Sequence, residues 1–489
     1  MGLVIESEAW EPNQLLYLFI LIISCFLSIS CLPRRQTNSN NRAPTLFDQS
    51  LPSSSSSFLR FQRRFLLLYS LSSVMEGLWS VFGEYDLAYY GVNKEKMVLS
   101  LCVGYAAALF IGTFLGILSD LIGHKKVCLM YCILHLFVGM WKRFFAHPSV
   151  WLASICLSLA SSIFSFSFET WMVVEHDKLG HRQDTLNDTF WLMTFTESVS
   201  FVGSQMMANW LVHRGMETSV ISPSTAAVLL AILSIFFVTR VSKEVPQASA
   251  FKDYGRDFTA YIFGDKRVWI LAWAQASVQF SIAVFWILWA PTIVADGREV
   301  KLGLIYPCLL GGRMLGSTAF PWFFTGPLSL RTEDCLVYVF MVMGIVLSIL
   351  AYDYQEIGLL VTLFCLFHAC VGLILPSLAR LRTMYVPDKL RGGMISLSLA
   401  PANAAILFFL LQRGYYQNIE NSTILAFAAL GLFSGAGCLH LLKLWDGGLI
   451  VFKSIIRGFA DRYLELEPVS DVNPQRHEMV PCGWNRTFS

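Results

Sequence analysis

About thirteen apolar runs recur along this chain, each close to the ~20 residues that a helix needs to cross a bilayer. Inside hydrocarbon every backbone amide must find its partner within the same segment, so such runs form helices. Hydrophobic residues make up 55% of the 489 residues and charged residues only 14%, which indicates an all-α polytopic membrane protein. Such proteins most often move a solute. The predicted spans are 15–32, 65–90, 97–119, 127–145, 150–175, 189–212, 220–240, 267–291, 302–325, 334–353, 356–380, 391–412 and 422–445.

The charges outside these runs predict an orientation. When the loops are assigned alternately to the two sides, most of the 36 Lys and Arg residues fall on one side, which the positive-inside rule makes the cytosol. This places the N-terminus outside and the C-terminus in the cytosol, and we expect the plasma membrane. The first run precedes Arg34 and Arg35, the reverse of a signal peptide, so we interpret it as an uncleaved anchor. A net charge of +2 does not suggest nucleic acid as a partner; membrane lipid is the expected surrounding.

Polar segments divide the chain into five predicted regions. A polar linker with a serine run, Ser53 to Ser57, follows the anchor and is expected to be flexible. The longest inner loop separates two groups of six spans, an arrangement that fits the major facilitator plan of two halves rocking about a midplane site. The regions are an anchor and linker (1–64), a six-helix half (65–240), a central cytosolic loop (241–266), a second six-helix half (267–445) and a cytosolic tail (446–489).

One inner loop carries a specific motif. It reads GILSDLIGHKK and resembles the characteristic loop of the major facilitator superfamily, Gly-x-x-x-Asp-Arg-x-Gly-Arg-Lys. Leu121 and His124 replace its two arginines. The resemblance implies a latch for the cytosolic gate, weakened by the missing arginine. The matching residues are Gly116, Asp120, Gly123 and Lys125.

The helix that enters this loop has a smooth face. Gly104, Ala108, Gly112 and Gly116 recur every four residues, and Asp120 continues the row. Small residues at this spacing let a neighbouring helix approach closely. The row is either a sliding contact between the two halves or a static packing surface.

Four further segments resemble the molybdate-anion transporter family within the major facilitators. They are FLRFQR at 58–63, FSFETW at 166–171 followed by Glu175 and His176, the span from Gln275 to Pro291, and LPSLARLR at 375–382. The extra N-terminal helix is also a trait of that family. The resemblance covers about residues 55–445 and implies a small anion as substrate, with molybdate as the specific expectation. The segment from Glu76 to Trp79 departs from the Asp-Trp-Leu-Gln type of the family, and Gln279 stands where family members carry an acid. These departures leave room for a diverged paralogue.

Charged and amide side chains inside the spans are candidates for a binding site, because charges are costly in hydrocarbon. Arg313 lies near the centre of its span and offers a planar fork of donors for an oxyanion. It could face Glu76 across a central cavity, or it could form an ion pair that only holds helices together. Gln275 and Gln279 share one helix face and either bind the ligand or join helices.

Three carboxyl groups are candidates for proton coupling, namely Glu76, Glu169 and Glu197, since a partly buried carboxyl group can load a proton near neutral pH. Arg380 and Arg382 end a span and are interpreted as anchors at the inner surface, with a place in an inner gate as the alternative.

The functional hypothesis is a secondary transporter of a small anion that works by alternating access. The alternatives are a carrier of another organic solute and a non-transporting sensor or scaffold. The sequence contains no nucleotide-binding Gly-x-x-x-x-Gly-Lys-Ser/Thr motif and no recognisable catalytic or metal-ligand set, so we expect neither an enzyme nor a cofactor. The superfamily resemblance implies a monomer. Asn421 begins a glycosylation sequon on the predicted outer side.

Overall fold

A computed structural model describes residues 14–30, 52–89, 94–145, 149–179, 183–215, 223–241, 251–294, 302–324, 330–352, 356–414 and 419–465, and these residues form helices joined by short connections. The helices are α1 (Gln14–Ser30), α2 (Pro52–Tyr89), α3 (Lys94–Ala107), α4 (Thr113–Ile122), α5 (His124–Phe144), α6 (Val150–Lys178), α7 (Gln183–Gly215), α8 (Pro223–Val241), α9 (Phe251–Gly264), α10 (Lys266–Ile293), α11 (Leu302–Phe324), α12 (Thr332–Ala351), α13 (Ile357–Tyr385), α14 (Arg391–Gly414) and α15 (Asn421–Glu465). A π-helical turn, Ala108–Gly112, joins α3 to α4.

All thirteen predicted spans coincide with helices, the third being α3 and α4 together with their π turn. Within the described ranges, nine helices are long and apolar enough to cross a membrane. Large apolar side chains point away from the protein, among them Phe19, Phe110, Leu229 and Phe427. Such exposure is unfavourable in water and expected in lipid, so the surface supports a membrane-embedded bundle. We call α2–α8 the first half, and α10–α14 with residues 421–442 of α15 the second half.

Two segments differ from the expectation. Helix α2 begins at Pro52, so the serine run expected to be flexible is helical. The central loop contains α9, which buries Tyr254, Phe258 and Ile262 at helical spacing. Because those three residues lie among charged neighbours, the mean hydropathy of the segment is low, and a polar loop was predicted. The residues from Lys443 onward form a second unit, which is helical through Glu465. The limits of the two halves remain a prediction.

Helices α11 and α13 pack backbone against backbone. A Cβ atom at Gly312 would lie 2.6 Å from the Cys365 carbonyl oxygen, and one at Gly372 would overlap the carbonyl oxygen of Arg313. Glycine is therefore required for this approach. It brings the middle of α13 to the level of Arg313 on α11.

The extra helix α1 packs against α11. Cys308 donates a hydrogen bond from its Sγ to the Tyr17 carbonyl oxygen at 3.1 Å. Ser24 contacts Gly311, where an added Cβ would lie 3.1 Å from the serine Cβ. The anchor is thus joined to the helix that carries Arg313.

The row of small residues from Gly104 to Gly116 serves both as a packing surface within one half and as a contact between the halves. Gly104 and Gly112 face serines of α6, which belongs to the same half. Gly116 faces Ser396 and the Gly392 carbonyl oxygen of α14, in the other half. Close packing within the first half therefore gives way to a contact between the halves at the gate loop, which we define as residues 116–126.

Candidate functional site

A cavity of about 670 Å³ lies between the two halves. Its walls come from α2, α3, α5, α6 and α7 on one side and from α10, α11, α13 and α14 on the other. The lining extends from Arg382, at the end nearer the gate loop, to Lys142 and Ser149 at the opposite end. All the predicted binding and coupling residues line it, namely Glu76, Glu169, Glu197, Gln275, Gln279 and Arg313.

Arg313 forms an ion pair between the halves, as the second of the two alternatives predicted. A terminal nitrogen of Arg313 donates to Glu197 Oε1 at 2.8 Å, so its partner is Glu197 and not Glu76. The other oxygen of Glu197 accepts a hydrogen bond from the Tyr69 hydroxyl at 2.7 Å. The reason is helix arrangement, because α11 packs against α7. Among the described residues, Arg313 Nε is buried and has no hydrogen-bond partner.

Glu76 instead forms a cluster within the first half. Its Oε2 lies 3.1 Å from Nε2 of His135 and 3.3 Å from the hydroxyl of Tyr131. His135 is almost fully buried, and its Nδ1 has no partner in the described part of the chain. The carboxylate of Glu76 is therefore held by two side chains of α5.

Arg382 is part of the site and is not a surface anchor. Its Nε donates to Glu169 Oε1 at 2.8 Å, one terminal nitrogen donates to Glu169 Oε2, and the other donates to Gln275 Oε1 at 2.6 Å. The residue is only 7% exposed. The prediction was wrong because α13 continues past this position to Tyr385, which leaves Arg382 inside the bundle. Arg380 lies over the Phe324 ring, with its guanidinium carbon 5.1 Å from the ring centroid.

The amide pair on α10 takes two different positions. Gln275 is buried and engaged by Arg382, so its amide nitrogen is the part left for another contact. Gln279, one turn further along, is half-buried in the cavity wall. The pair can therefore donate to a ligand from one side of the cavity.

The gate loop joins the halves through Asp120. Its carboxylate accepts hydrogen bonds from the backbone nitrogens of Gly392 at 3.0 Å and Gly393 at 2.8 Å, at the start of α14. A carboxylate in this position also meets the positive end of the helix dipole. Gly123 has a φ of 104°, which a residue with a side chain adopts at a cost, and it turns the chain between α4 and α5.

A tyrosine from the central loop contacts the same carboxylate. Tyr254 on α9 donates its hydroxyl proton to Asp120 Oδ2 at 2.8 Å. Burial, followed by the charge of Asp120, raises the pKa of Tyr254, so the hydroxyl keeps its proton and remains a donor. The superfamily motif has an arginine where this chain has Leu121, which packs against the apolar core. Lys125 donates to the Thr239 carbonyl oxygen at 3.3 Å on α8.

Several functional candidates were not predicted from the sequence. Tyr69, His135 and His368 line the cavity, Tyr131 lies behind it against Glu76, and Tyr254 lies in the gate contact. The two histidines carried a usable signal, since each is a titratable side chain deep in an apolar span. The tyrosines carried none, because aromatic residues are common in apolar helices. Asn421 is the first residue of α15, and its glycosylation remains a prediction.

The comparisons with known proteins agree on the type of protein. A family profile described as sugar transporters with 12 transmembrane helices matches residues 48–378. A molybdate-anion transporter of Xenopus tropicalis is 24% identical over 344 residues, which cover 68% of this chain and 74% of that protein. A molybdate-anion transporter of Danio rerio is 22% identical over 370 residues, covering 69% and 76%.

Solved structures show the same fold. A human organic anion transporter matches with a TM-score of 0.57 at 12% identity, covering 77% of this chain and 99% of its own. A mutant nucleoside transporter matches with a TM-score of 0.52 at 13% identity, covering 78% and 99%. Proteins of this family and fold are transporters, not enzymes. The chain therefore belongs to the family of 12-span sugar transporters and is a multi-pass membrane transporter of the major facilitator type.

Proposed function

We propose that the protein is a secondary transporter of a small oxyanion, with molybdate as the first candidate. The observation that carries the proposal is Arg313, whose guanidinium lies in the wall of the cavity and pairs there with one carboxylate among the described residues, that of Glu197. A planar guanidinium suits the oxygen edge of a tetrahedral anion. The names of the two relatives, both molybdate-anion transporters, support the same substrate class.

Transport would proceed by alternating access. The Asp120 contacts with α14 close the gate-loop end, and the Arg382–Glu169 pair lies between that end and the rest of the cavity. With the predicted orientation this closed end faces the cytosol, and the cavity receives substrate from outside. The remaining predictions, a plasma-membrane location and a monomeric state, belong to the same proposal.

Glu197 is the best placed of the three coupling candidates. It forms a direct ion pair with Arg313, so a bound oxyanion and the Glu197 carboxylate compete for one guanidinium. Protonating Glu197 removes the competing charge and favours anion binding, which couples a proton to the anion. Glu169 is held by Arg382, and Glu76 by His135, so their protonation would act on the gate end and on the first half respectively.

Binding is proposed to involve Arg313 together with Gln275, Gln279 and Glu76. The two amides supply neutral donors on the wall formed by α10. Glu76, held by His135, would contact the anion only when protonated, because two negative charges repel.

A carrier of a larger organic anion is the second candidate. A cavity of about 670 Å³ falls within the range of roughly 300–1,000 Å³ found for drug-sized ligands. This is more room than one tetrahedral oxyanion fills. Arg313 would then bind the carboxylate or phosphate of the organic anion.

The test is labelled molybdate uptake in cells that lack their own high-affinity uptake, at matched surface expression. Uptake by the wild type, lost in Arg313→Ala and reduced in Glu76→Gln, is the expected result. Arg240→Ala is the matched control, since this exposed arginine at the end of α8 lies over Phe236 and outside the cavity lining. Uptake of organic anions without molybdate uptake would favour the second candidate, and no uptake by a well-expressed wild type would contradict the oxyanion proposal.

A further inference from the structure

His368 is a buried polar residue in the middle of α13 that no ion pair or gate contact explains. It is 1% exposed, and within the described residues neither of its ring nitrogens has a hydrogen-bond partner. A neutral imidazole carries one donor and one acceptor, and a protonated one carries two donors. Buried polar groups are nearly always paired, so two nitrogens on one ring without a partner among the described residues favour a bound ligand as the partner.

Aromatic neighbours hold this ring in a fixed place. Its centroid lies 4.7 Å from that of Phe285, 4.8 Å from that of Trp286 and 5.7 Å from that of Phe367. These rings contribute no hydrogen-bond acceptor to the imidazole, and they leave it little freedom to turn toward a distant one. A side chain restrained in this way is organised in advance for a ligand.

The position of His368 links it to Arg313. Both residues line the central cavity. Helices α11 and α13 touch at Gly372, one turn beyond His368, where an added Cβ would meet the backbone of Arg313. The two side chains with uncommitted N–H groups therefore come from adjacent helices at the same level of the bundle.

We propose that His368 is a substrate-binding residue, which donates a hydrogen bond to an oxygen of the transported oxyanion while Arg313 binds another oxygen. The inference rests on the proposed function and specifies its site. The ring nitrogen that does not donate accepts a hydrogen bond from a hydroxyl group of the ligand or from its hydration water. The favoured substrate class is therefore a tetrahedral oxyanion that brings both acceptors and a hydroxyl group or water.

The experiment measures KM and maximal uptake rate for labelled molybdate in His368→Leu and His368→Gln. Leucine removes both nitrogens, whereas glutamine keeps a donor and an acceptor. We expect KM to rise about ten- to a hundredfold in His368→Leu, the range for losing a hydrogen bond to a charged group, and to be largely restored in His368→Gln. His440→Leu, at an exposed position of α15, is the control and should leave KM unchanged.

Thermal unfolding of the purified proteins separates binding from folding. If His368 served only the core, replacing an unpaired polar ring by leucine would leave stability unchanged or raised and KM unaltered, which would overturn this inference alone. The inference is supported if His368→Leu folds as well as the wild type but loses the stabilisation that added molybdate gives the wild type. Absence of molybdate uptake by the wild type would instead overturn the proposed function, and this assignment with it.

Discussion

Two arginines join the halves of this transporter, and they differ in how their donors are used. Arg382 and Arg313 are equally buried, with side chains 9% and 8% exposed, and each pairs with a glutamate of the other half. Arg382 directs its Nε and both terminal nitrogens to Glu169 and Gln275. Among the described residues, Arg313 donates one hydrogen bond, to Glu197, and its Nε has no partner.

Burial alone therefore does not identify a binding residue. A guanidinium whose three nitrogens all donate to the protein has few donors left for a ligand, and it stabilises the contact that it makes. A guanidinium that uses one nitrogen and lies in a cavity wall retains donors for an anion. We therefore assign Arg382 to the closed gate end and Arg313 to the substrate.

Breaking the Arg382–Glu169 pair should have the strongest effect on stability. Arg382→Met leaves Glu169 as a buried charge without its partner and should destabilise the protein by about 3–5 kcal/mol. Arg313→Met should cost less, because Glu197 retains the hydrogen bond from Tyr69. Thermal unfolding in detergent measures both. Equal losses of stability in the two variants would remove the basis of the comparison.

A second test moves Arg313 without changing it. In Gly372→Ala the new Cβ would overlap the Arg313 carbonyl oxygen and lie 2.9 Å from the backbone nitrogen of Ser317, so α11 and α13 must separate. Overpacking of this kind costs about 1–3 kcal/mol, and we expect uptake to fall with it. Gly203→Ala is the control, since nothing lies within 4 Å of its added Cβ. Normal uptake in Gly372→Ala would show that the placement of Arg313 is not critical.

A third test removes only the charge that competes for Arg313. Glu197→Gln removes the negative charge and keeps one oxygen to accept from Arg313, while its amide nitrogen takes the place of the oxygen that accepts from Tyr69, whose hydroxyl can turn to accept instead. We expect the Kd for molybdate to fall about tenfold, a change of about 1.4 kcal/mol. The dependence of uptake on a proton gradient should be lost as well. Glu169→Gln is the matched control, because all three nitrogens of its arginine already donate to the protein, and should give no gain in affinity. A gain in Glu169→Gln of the same size would contradict the assignment of the two arginines.

The helices and the chemistry of the cavity could be predicted from the sequence, but the pairings could not. Each of the thirteen predicted spans coincides with a helix, because bilayer thickness sets the length of the hydrophobic runs. The cost of charge in hydrocarbon identified Glu76, Glu169, Glu197 and Arg313 as cavity residues. Which acid meets Arg313 depends on which helices are neighbours across the halves, and periodicity within one helix carries no information about that.

The gate shows the same limit at a finer scale. The loop motif identified Asp120, but its loss of an arginine suggested a weakened latch. The structure places Tyr254 against that carboxylate instead, from a helix that sequence analysis interpreted as part of a polar loop. A contact between residues 134 positions apart is set by the fold and cannot be found in the local sequence.

The hydrogen bond of this tyrosine can be tested alone, and its loss should have a smaller effect than the variants above. Tyr254→Phe removes one hydrogen bond and leaves both backbone contacts of Asp120 in place, so the closed gate should lose about 1 kcal/mol. A loss of that size shifts the ratio of closed to open protein about fivefold, whereas Asp120→Ala removes all three contacts and should shift it far more. Thiol labelling of a cysteine placed at Ser396, beside Gly116 in the gate contact, measures the open fraction. Equal labelling of Tyr254→Phe and wild type would mean that the backbone contacts alone hold the gate. Helix α9 would then contribute the packing of Phe258 and Ile262 and not the hydrogen bond from Tyr254.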